Sequence, residues 1–430
     1  MSNKGTKAVI GTTRRWNAKE SGIDLAEGLM EKLNENPDFI VLFSTIHYMK
    51  NGGFEHLLEG IYEVFPENVK LVGGTVNGFL NNDGCFARGA TALAVSSDEM
   101  DVAIGIGHNT KRNPKKAALQ CASDLKKNLS HSGFQNGFLL HIISGAEVPN
   151  IPPIGTKKII KPGAAPNTLM KLFSLSQYRL QMGPSRDEEI LEGMIGYMPD
   201  FSMLSGATLD DGHGIHNYQF YNRTVMKNAI VSLGLKTNKE IFVKSTTNLK
   251  RTDIEFDITK ISKDKRIIHE INGRPALEEL LRLLKWPQEI LKEETWFHTT
   301  FYFPIGGQVS ELSKNNDSAH VIGIVLGNSL LLTCKLIGSH ASILTIDGKG
   351  LFDVIDKNMD YIDFTPSFGL ISSCITRFET LGHKMYEVRD RIKTHVKDSP
   401  FVVFYVGGES TYSKNEGLSY SNISFNSMIV

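Results

Sequence analysis

The sequence predicts an α/β protein in which layered mixed sheets are covered by helices. We expect two halves, the first of them internally duplicated. Two observations predict this class: a unit that returns along the chain, and an alternation of apolar strands with amphipathic helices. The 430 residues are 41% hydrophobic and 22% charged, which is typical of a globular protein with a sizeable core.

The repeated unit consists of a helix, a proline, an apolar strand and a glycine-rich segment. A shift of 133 residues (206 minus 73) aligns Gly73 with Gly206 and Thr75 with Thr208 without a gap. A looser third copy ends in Gly407-Gly408-Glu409. We interpret the glycines as turns that end buried strands, after which polar side chains face a crevice. The alternative is that each turn merely closes a strand.

Strands and helices alternate through the first half of the chain. Short apolar runs predict strands at 8–12, 38–45, 87–95, 100–106 and 137–144. Apolar residues at helical spacing predict helices at 22–33, 54–65 and 115–128. The segment 145–184 is rich in proline and is predicted to be a surface excursion between the duplicated units.

The second half continues the same alternation. Strands are predicted at 267–271, 368–373 and 401–406, and helices at 276–284, near 349–358 and at 385–396. The apolar run 321–338 has Gly327-Asn328 at its middle, so we interpret it as two strands and a turn rather than a membrane helix.

We predict four segments along the chain. They are an N-terminal strand and helix (1–37), a first domain (38–243, with units near 38–144 and 185–243), a charged linker (244–265) and a second domain (266–430).

Charge balance, cysteine spacing and the N-terminal segment limit the partners and the location of the protein. The 47 basic residues equal the 47 acidic ones, and nucleic-acid binding normally leaves a basic footprint. The four cysteines (Cys85, Cys121, Cys334 and Cys374) are far apart in sequence, which favours a reducing compartment without disulfides. The N-terminal apolar run is too short for a signal peptide. We therefore predict a cytoplasmic protein that does not insert into membranes.

Several short motifs resemble, in order and spacing, those of one known family. They are Gly273–Glu278, Phe303–Gly306, Ser373–Gly382 and Gly408-Glu409 in the second half, and Leu71–Gly78 and Leu204–Asp210 in the first. The family is FIST, named for F-box and intracellular signal transduction proteins. Its N-terminal and C-terminal domains would together cover roughly residues 38–430.

The resemblance implies a sensory module that binds a small ligand, proposed for this family to be an amino acid or a related metabolite. A signalling protein would be a further partner, and no cofactor is expected. The chain departs from the family pattern after Gly408-Glu409, where Ser410-Thr411-Tyr412 replace an apolar residue, a glycine and a proline.

A ligand site is predicted from these residues. Arg377 would bind a ligand carboxylate through its planar guanidinium, and Glu409 would bind the ligand ammonium. Thr75, Thr208, Asp210 and Tyr412 would add hydrogen bonds. The predicted set is Gly73, Gly74, Thr75, Gly206, Thr208, Asp210, Cys374, Arg377, Gly408, Glu409, Ser410 and Tyr412.

Two other functions stay open at this point. An enzyme could act on a small amide or acyl compound through Cys374, since the nearby Arg377 could lower the pKa of the thiol. Against this, Cys374 could simply be a buried cysteine that ends a strand. A protein-interaction scaffold is the other alternative. His213 and His216 lie close to Asp210, but we interpret this polar loop as solvated and predict neither a metal nor catalytic residues.

Overall fold

The computed structural model describes residues 5–150, 155–161, 175–314 and 317–430. Its α-helices are α1 (Ala18–Leu33), α2 (Phe54–Val64), α3 (Pro114–Leu129), α4 (Asp187–Tyr197), α5 (Ala276–Leu284), α6 (Glu293–Tyr302), α7 (Gly350–Met359), α8 (Ile375–Leu381) and α9 (Met385–Val396). Short 3₁₀ helices lie at Ile46–Lys50, Gln288–Ile290 and Gly382–Lys384.

The strands follow the same chain order. The first fourteen are β1 (Thr6–Thr13), β2 (Phe39–Ser44), β3 (Lys70–Thr75), β4 (Gly78–Asn81), β5 (Gly84–Phe86), β6 (Ala90–Ser97), β7 (Met100–His108), β8 (Asn136–Ile143), β9 (Ile159–Ile160), β10 (Phe201–Ala207), β11 (Gln219–Tyr221), β12 (Thr224–Met226), β13 (Ala229–Thr237) and β14 (Phe242–Thr247). The others are β15 (Lys250–Ile261), β16 (Ile267–Ile271), β17 (Arg274–Pro275), β18 (Ile305–Gln308), β19 (Ser318–His320), β20 (Ile322–Leu326), β21 (Ser329–Leu332), β22 (Ile337–Thr345), β23 (Gly369–Cys374), β24 (Phe401–Ser413), β25 (Gly417–Ser421) and β26 (Ser424–Ile429).

These strands form three mixed sheets. The first has the order β1-β6-β2-β3-β11-β12, and the second has the main path β14-β26-β23-β24-β10-β8-β13-β7. The third has the main path β19-β18-β22-β15-β16-β21-β20-β9. Mixed sheets covered by helices confirm the predicted fold class.

The repeated unit occurs three times. Each copy has two parallel strands joined through helix: β2 and β3 through α2, β8 and β10 through α4, and β23 and β24 through α8 and α9. The last strand of each copy, β6, β13 or β26, pairs antiparallel with its first strand. Helices α2 and α4 begin at Phe54 and Asp187, so their starts also differ by 133 residues.

The copies are joined by exchange of strands. Strand β11 of the second copy pairs with β3 of the first, and β4 of the first pairs with β24 of the third. The second part of β24 pairs with β10 of the second copy. Side chains of different copies also pack against each other. Phe43 of the first copy stacks on Phe404 of the third, with ring centroids 4.2 Å apart.

The glycines of the repeat do not form turns, so that part of the prediction was wrong. Gly73 and Gly74 lie inside β3, and Gly206 lies inside β10. The strands continue through them because neighbouring backbone comes very close. A Cβ atom on Gly73 would lie 1.8 Å from the carbonyl oxygen of Leu42. Glycine is thus required for close packing rather than for chain reversal.

The third glycine pair also lies within a strand. Gly407 and Gly408 are in the middle of β24, and Gly408 has a φ of 73°. The register of β24 against β10 shifts here, since Glu409 pairs with Gly206 while Gly407 pairs with Ala207. Gly408 is therefore the extra residue of a β-bulge, a position where positive φ favours glycine.

Other predicted segments have different outcomes. The apolar run 321–338 does contain a hairpin, β20 and β21, with a turn at Gly327-Asn328. The predicted linker 244–265 carries part of β14 and all of β15, which belong to two different sheets. Within the predicted excursion 145–184, residues 151–154 and 162–174 lie outside the described part. In the described residues, no helix has both the length and the apolar character to span a membrane.

Candidate ligand-binding site

A cavity of about 130 Å³ lies between the second and third sheets. The loop after β8, the start of α4, strands β20 and β21, the start of α8 and the middle of β24 all contribute to its wall. Most of this wall is apolar, and its larger side chains include Leu209, Phe301, Val321, Ile324, Leu331 and Ile375. A mostly apolar pocket with few polar groups is typical of a small-molecule site.

The carboxylate of Asp187 is the distinctive polar group of the cavity. Asp187 opens α4 and is 1% exposed. Its Oδ2 accepts a hydrogen bond of 2.8 Å from the Tyr420 hydroxyl, while its buried Oδ1 has no hydrogen-bond partner in the described part of the chain. Burial raises the pKa of Asp187 above its ordinary value.

The bulge in β24 makes room for this carboxylate. A Cβ atom on Gly408 would lie 2.4 Å from Asp187 Oδ2 and 3.0 Å from the Tyr420 hydroxyl oxygen. Only a residue without a side chain fits there. The conformation of β24 and the position of the carboxylate therefore depend on each other.

The neighbouring acidic residues have a basic partner of their own. Arg266 contacts Glu188, and its Nη2 lies 3.3 Å from Glu189 Oε1. Arg266 also donates to the carbonyl oxygen of Thr333 over 3.4 Å. Burial raises the pKa of Glu188 to about 7, with a further contribution from Asp187, although Arg266 opposes both. The guanidinium thus contacts Glu188 and Glu189, and its charge also lowers the pKa of Asp187, although burial outweighs this effect.

A second carboxylate in the wall is fully bonded. Glu147 Oε2 lies 3.3 Å from the ammonium of Lys111, and Glu147 Oε1 accepts a hydrogen bond of 3.2 Å from Asn217. Both members of this ion pair are buried. Burial lowers the pKa of Lys111, and Glu147 partly offsets this. Glu147 therefore has less capacity for a ligand than Asp187.

Comparison with known proteins decides the family. The FIST N domain matches residues 38–274, which is more than half of the chain. The chain belongs to the FIST family. FIST domains are sensory domains that bind small ligands and act in signal transduction. The predicted FIST C-terminal domain at 266–430 stays a prediction.

Two further comparisons say little about this FIST protein. No curated protein matches the chain. Among solved structures, the cyanuric acid hydrolase from A. caulinodans is 8% identical, and the alignment covers 99% of each chain with a TM-score of 0.34.

Two of the predicted site residues line the cavity: Cys374, at the end of β23, and Gly408. Asp210 lies just outside and holds the loop that contributes to the wall. Its carboxylate accepts hydrogen bonds of 2.8 Å from the backbone of Gly214, 2.7 Å from Ile215 and 3.1 Å from His216. Asp210 thus supports the site by fixing backbone.

The two threonines of the repeat bond to protein groups away from the cavity wall. The Thr75 hydroxyl accepts a hydrogen bond of 3.0 Å from the backbone of Tyr218. The Thr208 hydroxyl donates to Asn217 over 2.9 Å and accepts from Gln219 over 2.7 Å. Both threonines thus stabilise the strand ends.

Two polar residues of β24 have similar partners. The Ser410 and Ser205 hydroxyl oxygens lie 2.6 Å apart, and Tyr412 donates to the carbonyl oxygen of Pro199 over 3.2 Å. Gly73, Gly74 and Gly206 are also absent from the wall. A ligand-binding role for these residues stays a prediction.

Arg377 and Glu409 are buried behind the cavity. Arg377 donates to the Leu351 carbonyl oxygen, its guanidinium lies 5.6 Å from the ring centroid of Phe425, and burial lowers its pKa to about 10. Glu409 Oε2 accepts from the backbone and hydroxyl of Ser424 over 3.4 and 3.3 Å. Neither residue lines the wall, so the predicted carboxylate and ammonium contacts stay predictions.

The Cys374 thiol is not activated. Its sulfur donates to the Thr376 hydroxyl over 3.3 Å, and only 2% of the residue is exposed. Burial raises the pKa of the thiol, and the carboxyl group of Glu409 adds to this effect. The geometry fits the interpretation of Cys374 as a buried cysteine at a strand end, because a nucleophilic thiolate requires a lowered pKa.

Asp187 was missing from the residues predicted from sequence. Asp187 and Glu188 begin a helix, where acidic residues interact favourably with the helix dipole, so their charges have a structural explanation that does not require a site. The repeat carries the better signal. The aligned residue in the first copy is Phe54 (187 minus 133), which is buried in the core. A carboxylate at a position where the first copy has a core phenylalanine indicates that this position has a role other than core packing.

Proposed function

We propose that this FIST protein is a cytoplasmic sensor that binds an amino acid or a related metabolite in the cavity at Asp187. One observation carries the proposal: a largely apolar cavity contains a buried carboxylate oxygen without a hydrogen-bond partner in the described chain. Natural proteins rarely leave such a group unsatisfied, so a bound molecule is a natural partner for it. Cys374 and Gly408 are the predicted residues that would contact the ligand.

The position of the cavity suggests how binding would be sensed. Its wall combines Asp187 from the second copy of the repeat, Gly408 from the third copy and Ile324 from the third sheet. A ligand that contacts all three would favour one arrangement of these elements over others. We propose that a signalling protein recognises that arrangement on the surface.

The test is to close the cavity at Gly323. This residue lies in β20 and lines the wall, and a Cβ atom on it would lie 3.6 Å from Thr333 Cγ2 and 3.8 Å from the Leu331 carbonyl oxygen. Gly323→Val therefore adds methyl groups to the cavity without a severe clash. The control is Gly133→Val, since Gly133 has open space around its Cβ position.

Amino acids at millimolar concentration would be screened by thermal unfolding, where a ligand at 100 times its Kd adds about 2.7 kcal/mol. We expect at least one of them to raise the Tm of the wild type and of Gly133→Val, but not of Gly323→Val. If none raises the Tm of the wild type, an amino-acid ligand is contradicted. An equal rise in Gly323→Val would place the ligand elsewhere.

A further inference from the structure

The chemistry of the cavity narrows the class of ligand. We propose that the ligand is a small primary amine with an apolar body, bound through its ammonium group by Asp187, and that a ligand carboxylate is not required. This inference rests on the proposed function, because it concerns the same cavity. It differs from the sequence prediction, in which Glu409 holds the ammonium and Arg377 the carboxylate.

The first step is the electrostatic state of Asp187. A buried carboxylate costs several kcal/mol unless it is paired or hydrogen-bonded. Tyr420 donates to Oδ2, and hydrogen bonds from Ser185 and from the backbone of Asp187 also favour the ionised form, although burial outweighs them in raising the pKa. Oδ1 has no hydrogen bond of normal geometry in the described chain. The two nearby buried cations are already paired, Arg266 with Glu188 and Glu189, and Lys111 with Glu147. A cation from outside the protein would complete the site.

The second step is the sign of the surrounding charge. Glu188 is the next residue in α4, and the carboxyl group of Glu409 is also close enough to interact electrostatically with Asp187. Burial is the main reason that the pKa of Glu409 is raised, and Asp187 contributes in the same direction. Glu188 is paired with Arg266, and the carboxyl group of Glu409 stays neutral at neutral pH. The negative charge available to a ligand is therefore that of Asp187, which favours a positive ligand group and disfavours an anion.

The third step is the shape and polarity of the remaining wall. Leu209, Val321, Ile324, Leu331 and Ile375 surround the space beyond Asp187 and offer contacts to hydrocarbon. Lys158 is the single basic residue among the wall residues that the structure describes. The apolar wall can contact a hydrocarbon body, and the carboxylate of Asp187 can bind an ammonium group. Together these two features match an amine that has no carboxylate.

The experiment compares three molecules that share one branched hydrocarbon body. They are 3-methylbutylamine, which has only the ammonium, 4-methylpentanoate, which has only the carboxylate, and leucine, which has both. Binding to the full chain is measured by titration calorimetry at neutral pH. We expect 3-methylbutylamine to bind and 4-methylpentanoate not to bind. Equal or tighter binding of 4-methylpentanoate would overturn the inference without any variant being needed.

The matched variant is Asp187→Asn, which removes the charge and keeps the shape. Hydrogen bonds to charged groups contribute about 1.5–3 kcal/mol, so we expect the affinity for 3-methylbutylamine to fall on the order of 10- to 100-fold. Asp200→Asn is the control, because the Asp200 side chain is 77% exposed and lies 3.1 Å from Lys414 at the surface. Unchanged affinity in Asp187→Asn would overturn the inference.

The outcomes separate this inference from the proposed function. If leucine binds to the wild type and not to Gly323→Val, while 3-methylbutylamine does not bind, the cavity is a ligand site and the inference alone is wrong. If no amino acid and no amine of the series binds, the proposed function fails and the inference fails with it.

Discussion

Replacing Glu409 with glutamine should change how the stability of the protein depends on pH. Glu409 is fully buried in β24, and its Oε1 has no hydrogen-bond partner among the described residues. Burial raises its pKa from 4.5 to about 8, and this effect exceeds those of its hydrogen bonds to Ser424. The folded protein therefore holds a neutral carboxyl group at a pH where the unfolded chain is ionised.

The sign of the pH dependence follows from this raised pKa. The stability contributed by the neutral carboxyl group is complete below pH 4.5 and is lost as the pH rises through about 8. With about 1.36 kcal/mol per pH unit, the loss is roughly 1 kcal/mol at pH 5, roughly 3 kcal/mol at pH 7 and roughly 5 kcal/mol at pH 9. Glutamine stays neutral at every pH, so the Glu409→Gln variant does not lose this stability.

The assay is urea unfolding of the wild type and of Glu409→Gln at pH 5, 7 and 9. We expect the free energy of unfolding of the variant to exceed that of the wild type by an amount that grows with pH. Glu416→Gln is the control, since Glu416 is exposed in the turn after β24 and should show a flat difference. A difference between Glu409→Gln and the wild type that does not change with pH would refute the reasoning.

Three further substitutions or reactions test other parts of the structure. Arg266→Leu leaves the buried Glu188 unpaired, so we expect a loss of about 3–5 kcal/mol in urea unfolding, most of which Glu188→Leu should restore in the double variant. Cys374 should react with a thiol probe at neutral pH only as slowly as a buried cysteine, which mass spectrometry can follow; rapid labelling would contradict the raised pKa. Gly73→Ala should destabilise the protein by about 1–3 kcal/mol, because its methyl group meets the backbone of β2. Gly28→Ala has open space and should not destabilise it, and equal effects of the two changes would contradict this explanation.

The sequence predicted the repeated architecture because the repeat is local. The apolar strands and the helix before Pro66 are visible within short windows, and two such windows align without a gap at a shift of 133 residues. The glycines were misjudged because a glycine that permits close packing has the same local sequence signal as one that forms a turn. Which of the two roles a glycine has depends on the strand beside it, such as β2 beside Gly73. The sequence of the segment alone does not determine that pairing.

The candidate site was harder to predict because its parts are distant in sequence. Asp187 bonds to Tyr420, which is 233 residues away, and the hydrocarbon wall combines strands of the third sheet with loops and helices from other parts of the chain. Cys374 and Gly408 are predicted from sequence and do line the cavity, because the end of β23 pairs with β24 just before its bulge. Arg377 and Glu409 follow these two residues closely in sequence, but their buried side chains bond to other protein groups.

Strand β24 links the proposed ligand site to the rest of the molecule. Its first part pairs with β23 and β4, and its second part pairs with β10 and β25. The bulge at Gly408 separates these two parts and also makes room for Asp187. A ligand ammonium bound to Asp187 would therefore act on a strand that pairs with strands of all three copies of the repeat. Such a strand can transmit occupancy of the cavity to distant surfaces, provided that the ligand favours one of its arrangements.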